Sequence, residues 1–202
     1  GDRLVMVDHL GRIADGDQLL YVIASDRKRT GTLPGPVVGT VMSNLGLEQQ
    51  LASEGIEFLR AKVGDRYVLG MLKERGGVLG GETSGHLLCL DRTTTGDGLI
   101  SALEVLAVMK RTGRPLAELV AGMPKFPQVM INVRVKERID PAKSPAIQDA
   151  VTQVEKALGA TGRVVLRASG TEPVIRVMIE ARDEAVASRH ANALAEVVRN
   201  AI

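Results

Sequence analysis

Apolar and polar positions alternate along the first 120 residues in blocks that predict strands and helices in turn. Apolar runs of strand type cover 4–7, 37–42 and 56–61, and helical spacing of apolar residues first occurs over 18–24. Strands that alternate with helices over short connections predict an α/β domain. We expect an α/β/α arrangement around a mixed, largely parallel sheet.

The remaining pattern, over 129–202, has the order β-α-β-β-α. This order predicts a small α+β domain whose two helices cover one face of its sheet. The segment 121–128 between the two patterns contains two prolines and a glycine, which break regular structure. We therefore interpret 121–128 as a linker between a domain at 13–120 and a domain at 129–202.

Charged residues near helix ends have simple structural interpretations. Asp15 and Asp17 precede the helical pattern at 18–24, where they either cap the helix or bind a metal; two aspartates without further ligands favour the cap. The charge run 26–29 is predicted to be solvated. The helix over 99–109 is apolar nearly all round and is predicted to be buried, with Thr95 or Asp97 as its N-cap.

Composition excludes some classes of function. Lys plus Arg number 26 against 24 for Asp plus Glu, so no general polyanion-binding surface is indicated. Two Tyr, two Phe and no Trp leave few faces for base stacking. Cys89 is the only cysteine, in an apolar run typical of a buried, inert thiol, and fits a reducing compartment. With no apolar run of membrane-spanning length, we expect a cytoplasmic protein without nucleic-acid or membrane partners.

A short polar loop between two apolar strand-type runs is the strongest candidate for a binding site. It contains Arg167, Ser169, Gly170 and Thr171, and Arg176 follows in the second run. Hydroxyl groups, arginine side chains and a glycine that can turn backbone N–H groups inward together suit a phosphate dianion. A hairpin loop with solvated arginines is the alternative, which residue chemistry alone leaves open.

Two further stretches are candidates for contact with a ligand. Lys62 follows a predicted strand, at the end where α/β sheets bind ligands, so it is either a charge-neutralising group or a surface lysine. In 80–86, an extended backbone would place Glu82, Ser84 and His86 on one face. Such a row suits sugar hydroxyls, and His86 can also carry a proton. A polar hairpin edge is the alternative.

Several separated motifs together resemble the α-D-phosphohexomutases. They are Arg167-Ala168-Ser169-Gly170-Thr171-Glu172-Pro173, Gly81-Glu82-Thr83-Ser84-Gly85-His86, Lys62-Val63-Gly64-Asp65-Arg66-Tyr67-Val68 and Thr93-Thr94-Thr95-Gly96-Asp97-Gly98. The resemblance covers the whole chain in order and is greatest to the bacterial branch that acts on glucosamine phosphates. It implies a four-domain protein, of which this chain would be the third and fourth domains, with 1–12 as the end of the metal-binding second domain.

The resemblance also implies roles for the candidate residues. Sugar hydroxyls would be bound by Glu82 and Ser84. Catalytic helpers at the reacting centre would be Arg3, Lys62 and His86. Thr83 stands where this branch usually has Asn, which leaves the preferred sugar open.

Phosphate and metal contacts follow from the same resemblance. The phosphate that is not transferred would be held by Arg167, Ser169, Gly170, Thr171 and Arg176. Asp2 would be one ligand of the Mg²⁺ that the complete enzyme uses. Because a single carboxylate holds Mg²⁺ weakly, we expect little or no metal on this chain alone.

The implied activity is two phosphoryl transfers between a phosphoserine and the sugar, through a hexosamine 1,6-bisphosphate intermediate. No segment here matches the family's serine loop, so we expect this chain to be inactive alone. The resemblance also implies dimers that form through the first domain, so we expect this chain to be monomeric and the parent protein to be a homodimer. Two alternatives remain: a family member that acts on glucose or mannose phosphates, and a phosphosugar-binding module without catalysis.

Overall fold

The structure is a computed structural model that describes residues 1–135, 140–169 and 172–201. It divides into two units, Gly1–Lys125 and Phe126–Ile202. Each unit has its own strands, helices and apolar core, and each is described by itself below. No helix among the described residues is both long and apolar enough to cross a membrane.

The first unit contains a short hairpin and a four-stranded sheet. The hairpin strands are β1 (Met6–Val7) and β2 (Ile13–Ala14), and the sheet strands are β3 (Val37–Thr40), β4 (Phe58–Ala61), β5 (Leu79–Gly81) and β6 (Leu87–Cys89). The sheet has the order β4-β3-β5-β6. Strand β3 pairs in parallel with β4 and β5, whereas β6 runs antiparallel to β5. The predicted mixed, largely parallel sheet is thereby confirmed.

Helices cover both faces of this sheet. They are α1 (Gly16–Arg29), α2 (Leu45–Ser53), α3 (Asp65–Arg75), α4 (Gly98–Thr112) and α5 (Leu116–Val120). Val37 belongs to the core cluster that contains residues of α1, α2, α4 and α5, whereas Val38 packs with Val68 and Leu72 of α3. Neighbouring strand residues point to opposite faces, so two separate cores are expected on either side of the sheet. The predicted α/β/α arrangement is confirmed.

Helix α4 is only half buried, and the prediction that it is buried all round is wrong. Leu99, Leu103 and Leu106 form one exposed stripe, and the exposed fraction of Leu99 is 77%. Val105 and Val108 lie on the buried side. A composition that is apolar on every side does not tell which side the sheet will cover. The predicted N-cap Asp97 is confirmed, because its Oδ1 accepts hydrogen bonds from the first turn of the helix.

The charge run at the end of α1 is solvated only in part: Lys28 and Arg29 are exposed as predicted, whereas Asp26 and Arg27 are buried and the prediction is wrong for them. Arg27 forms ion pairs with Asp91 at 2.9 Å and Glu104 at 2.8 Å. These partners lie far along the chain, so the local sequence gives no sign of them. Cys89 is buried as predicted, and this burial raises the pKa of its thiol to about 11.

The second unit has the predicted order β-α-β-β-α. Its elements are β7 (Gln128–Arg134), α6 (Pro145–Leu158), β8 (Gly162–Ala168), β9 (Val174–Ala181) and α7 (Glu184–Asn200). The sheet is antiparallel with the order β7-β9-β8. Alternate residues of β9, such as Ile175 and Val177, share one core with Ile147 of α6 and Leu194 of α7. Both helices therefore cover one face, as predicted, and the other face carries the intervening side chains, which include Arg176 and the apolar Met178.

Candidate functional site

A row of polar side chains crosses the open face of the second sheet at the corner between β8 and β9. Arg167 pairs in register with Arg176, and Arg176 pairs with Asn132 on the other side. Residues paired in register project to the same face, so the two arginines are direct cross-strand neighbours. Like charges directly opposite each other are unfavourable unless an anion compensates them.

The two arginines have no anionic partner within the described residues. Neither forms an ion pair there, and Arg167 Nε is buried without a hydrogen-bond partner. Burial and then the neighbouring Arg176 lower the pKa of the Arg167 guanidinium. A buried donor left unpaired is costly, so this corner is suited to a ligand that brings negative charge and acceptor oxygens.

The loop that follows Arg167 begins with Ser169, which is almost fully buried. Its N–H donates to the carbonyl of Val174 at 2.8 Å, and its Oγ accepts from the N–H of Glu172 at 3.3 Å. Ser169 therefore fixes both ends of the loop beside the arginine pair. Gly170 and Thr171, the other predicted phosphate contacts, lie outside the described residues.

The predicted sugar-binding row does not form, because residues 82–85 are not extended. They make the tight turn between β5 and β6, in which Gly85 N–H donates to Glu82 O at 2.9 Å. Gly85 has a φ of +90°, a conformation that side-chain-bearing residues rarely adopt. The alternating projection expected for Glu82, Ser84 and His86 requires a strand and is therefore wrong.

Each side chain of the turn instead has its own surroundings. Glu82 Oε1 accepts the N–H of Gly64 at 3.0 Å, which attaches the turn to the start of α3. Ser84 is exposed, and no hydrogen bond of its side chain occurs within the described residues. Glu82 and Ser84 thus remain available to a ligand, although not as one row with His86.

His86 is buried against the amino-terminal segment. Its Nδ1 lies 3.7 Å from Asp2 Oδ2, and a Cβ at position 96 would lie 1.8 Å from its Nε2. Gly96 is therefore needed to admit the ring. His86 Nε2 has no hydrogen-bond partner among the described residues, so this nitrogen could exchange a proton only after its surroundings change.

Hydrogen bonds bring the segments of Arg3 and Lys62 to the same turn, the first through Gly85 O and the second through Glu82 Oε1. The N–H of Leu4 donates to Gly85 O at 2.9 Å, next to Arg3. Lys62 precedes Gly64 by two residues and lies with its Nζ 6.0 Å from the centroid of the Tyr67 ring. Both basic side chains are exposed. Sequence motifs far apart along the chain are thus gathered around one turn.

Comparison with known families agrees with this arrangement. Residues 15–126 match the family described as phosphoglucomutase/phosphomannomutase, alpha/beta/alpha domain III, and residues 130–197 match its C-terminal domain. The chain belongs to the phosphoglucomutase/phosphomannomutase family. The two matches fall on the two units described above.

Curated relatives in this family are phosphoglucosamine mutases. That of Alkalilimnicola ehrlichii is 57% identical over 201 residues and that of Methylococcus capsulatus is 56% identical over the same length. Each alignment covers 100% of this chain and 45% of the relative. The chain therefore spans less than half the length of these relatives.

Solved structures of the family share the fold at low sequence identity. The Aspergillus fumigatus N-acetylphosphoglucosamine mutase, in complex with GlcNAc-6P and magnesium, has a TM-score of 0.78 and 21% identity. The match covers 98% of this chain and 50% of that one. A phosphoglucomutase/phosphomannomutase family protein from Burkholderia thailandensis has a TM-score of 0.77, with 23% identity, and covers 100% of this chain and 45% of that one.

The residues present do not fit a magnesium site. Asp2, the predicted ligand, has a side chain that is 61% exposed. The described residues contain no group of three or more His, Cys, Asp or Glu side chains that could hold a metal. One exposed carboxylate is far from the six or more oxygen ligands that Mg²⁺ or Ca²⁺ takes, protein and water together, so no step of the chemistry is derived through a metal here.

Asp15 and Asp17 have different roles in the first turn of α1. Asp15 is the predicted N-cap, since its side chain accepts from the N–H of Gln18 at 3.0 Å. Asp17 is fully buried and accepts hydrogen bonds from Asn44 and Thr83. Sequence reasoning treated the two aspartates alike and missed this role. The sequence does contain a sign that Asp17 is buried, because it lies three residues before Leu20 and so on the apolar side of the helix.

Asp17 should make stability depend on pH. Burial raises its pKa from 3.8 to about 6, although hydrogen bonds from Asn44 and Thr83 oppose the rise. Because the carboxyl pKa is higher in the folded protein, Asp17 contributes stability that is fully present below pH 3.8 and is lost as the pH rises through about 6. We expect the unfolding free energy of Asp17→Asn, relative to that of wild type, to rise by about 2–3 kcal/mol when the pH is raised from 4 to 8. Urea titration at each pH measures this difference. A difference that is constant over this range would contradict the burial of the charge.

Proposed function

We propose that this chain is the carboxyl-terminal part of a phosphoglucosamine mutase, which interconverts glucosamine 6-phosphate and glucosamine 1-phosphate. The observation that carries the proposal is the pair of neighbouring arginines, Arg167 and Arg176, without an anionic partner in the described residues. The choice of sugar rests on relatives with that name that are 57% and 56% identical to the whole chain.

In this proposal the second unit binds the phosphate that is not being transferred. Arg167 and Arg176 supply charge and N–H donors, and Ser169 holds the loop against them. Gly170 and Thr171 complete the set as further donors. A phosphate bound here would satisfy the buried Arg167 Nε and relieve the repulsion between the two guanidinium groups.

The first unit would bind the sugar and support the transfer. Ser84 and the free oxygen of Glu82 are the groups available to sugar hydroxyls. We assign Arg3 and Lys62 to the neutralisation of charge on the transferred phosphoryl group, because both are exposed cations near the turn. His86 is assigned to proton transfer, which requires its buried ring to become accessible.

The remaining groups of the proposed chemistry would lie outside these residues. Phosphoryl transfer would pass between a serine and the sugar through a hexosamine 1,6-bisphosphate. Mg²⁺ would need carboxylates in addition to Asp2. We propose that 1–12 ends a metal-binding domain, that 13–120 recognises the sugar, and that 129–202 binds phosphate beyond a linker at 121–128. We further propose that the parent is a cytoplasmic homodimer, whereas the chain alone is monomeric; the free Cys89 thiol fits the reducing cytoplasm.

A coupled assay of glucosamine 1-phosphate formation tests this function. We expect the full-length protein to convert glucosamine 6-phosphate with a higher kcat/KM than glucose or mannose phosphates. The 202-residue chain should give no turnover under the same conditions, because the nucleophile lies elsewhere.

Three results of this assay would contradict the proposal. Preference for glucose or mannose phosphates would assign the protein to another activity of the family. No turnover of any phosphosugar by the full-length protein, with binding retained, would favour a binding module. Turnover by the 202-residue chain would place the nucleophile within it.

A further inference from the structure

The turn between β5 and β6 lies directly on the first turn of α1. The N–H of Gly16 donates to the carbonyl of Thr83 at 3.0 Å. A Cβ at Gly16 would lie 2.1 Å from Glu82 O and 2.6 Å from Gly85 N. Any larger residue at position 16 would push the turn away, so this close approach depends on glycine.

Thr83 is held a second time through its side chain. Its hydroxyl donates to Asp17 Oδ2 at 2.8 Å, and the same oxygen accepts the N–H of Asn44 at 2.8 Å. The exposed fraction of Asp17 is 0%. One buried carboxylate thereby connects the start of α1, the loop after β3 and the turn between β5 and β6. The Thr83 hydroxyl is consequently engaged by the protein, while that of its neighbour Ser84 faces solvent.

The turn is fixed at two successive residues from two different helices. Glu82 is attached to the start of α3 through Gly64 N–H at 3.0 Å, and Thr83 is attached to the start of α1. Exposed Ser84 then follows with its direction set by these two attachments. The orientation of any side chain of this turn that binds a ligand would therefore depend on the attachment of Thr83 to Asp17.

We propose that Asp17 and Thr83 are positioning residues for sugar binding, in which Asp17 holds the Thr83 hydroxyl and so orients Glu82 and Ser84. The inference rests on the proposed function, since it takes the sugar to bind at this turn. A hydroxyl at position 83 allows the bond to Asp17, whereas a side chain without a donor loses this attachment and leaves the turn held by Gly16 N–H and Gly64 N–H.

Three substitutions in the full-length protein test the role in binding. Thr83→Val keeps the shape but removes the donor, and Thr83→Ser keeps the donor. Loss of a hydrogen bond to a charged group should raise KM for glucosamine 6-phosphate about tenfold in Thr83→Val, with kcat changed less than about twofold. Thr83→Ser should restore KM to within about twofold of wild type. Thr152→Val is the control, because that hydroxyl bonds only to its own helix at Gln148 O.

A second measurement does not depend on activity. In the 202-residue chain, hydrogen exchange at the amides of Glu82 and Gly85 should be at least about fivefold faster in Thr83→Val and in Asp17→Ala than in wild type. Thr83→Ser should exchange like wild type. Both amides donate within the turn itself, to His86 O and Glu82 O, so they report its order.

The two measurements separate the possible failures. Unchanged exchange and unchanged KM in Thr83→Val would overturn the positioning role. Unchanged exchange with a raised KM would overturn it as well, and would indicate direct contact between Thr83 and the sugar. Faster exchange in Thr83→Val, in a protein whose wild type does not act on phosphosugars, would support the attachment by Asp17 and contradict the proposed function instead.

Discussion

Replacing Arg167 with alanine in the full-length protein is expected to raise KM for glucosamine 6-phosphate by at least tenfold. The guanidinium has a buried Nε without a partner in the described residues, next to the like charge of Arg176. Hydrogen bonds to charged groups contribute about 1.5–3 kcal/mol each, which corresponds to about 10- to 150-fold in affinity. Steady-state kinetics with glucosamine 6-phosphate, and with glucosamine 1-phosphate in the reverse direction, measure the effect.

Two further variants distinguish the loss of this guanidinium from the general effect of removing an arginine. Arg167→Lys keeps the charge but loses the planar fork, so it should recover only part of the affinity. Arg199→Ala is the matched control, since that arginine lies on α7 and pairs with Glu196 on the exposed surface. Equal KM and kcat in wild type and Arg167→Ala would mean that the corner between β8 and β9 does not bind the substrate phosphate.

The second large effect concerns stability. Arg27→Ala should lower the unfolding free energy by about 3 kcal/mol, because it removes the buried cation that Asp91 and Glu104 share and leaves them only the half-exposed Arg92. The Arg27 side chain is 6% exposed, while those of Asp91 and Glu104 are 33% and 21% exposed. This partial exposure of the partners allows water to replace some of the lost interaction, which places the effect at the lower end for buried pairs.

Urea unfolding of the 202-residue chain measures this difference. Arg75→Ala provides the matched control, because Arg75 and Glu57 form a pair whose side chains are about half exposed. That substitution should change stability by less than about 1 kcal/mol. If Arg27→Ala and Arg75→Ala have the same effect, the buried network around Arg27 does not stabilise the first unit.

The fold could be predicted from the sequence because it follows from periodicity. The spacing of apolar residues predicts the order of strands and helices, the mixed sheet, and the helices on one face of the second sheet. What could not be predicted is which side of an apolar helix remains exposed, as for Leu99 and Leu103 of α4. That depends on packing partners that are distant in sequence.

The candidate site was predicted less completely than the fold. Local chemistry identified Arg167 and Arg176, since their register follows from two adjacent strands joined by a short loop. The row of Glu82, Ser84 and His86 was wrong because one glycine, Gly85, turns the backbone out of the extended conformation. The contact between Asp17 and Thr83 spans 66 residues of sequence and follows only from the folded chain.

The central claim, that the corner between β8 and β9 binds phosphate, is tested most directly by NMR titration of the 202-residue chain with glucosamine 6-phosphate. We expect saturable shifts of the Nε–H signals of Arg167 and Arg176, and no such shifts with glucosamine, which lacks the phosphate. The Arg199 signal should not respond, because that arginine lies on α7 and is paired with Glu196. Unchanged signals of Arg167 and Arg176 at saturating glucosamine 6-phosphate would contradict the claim.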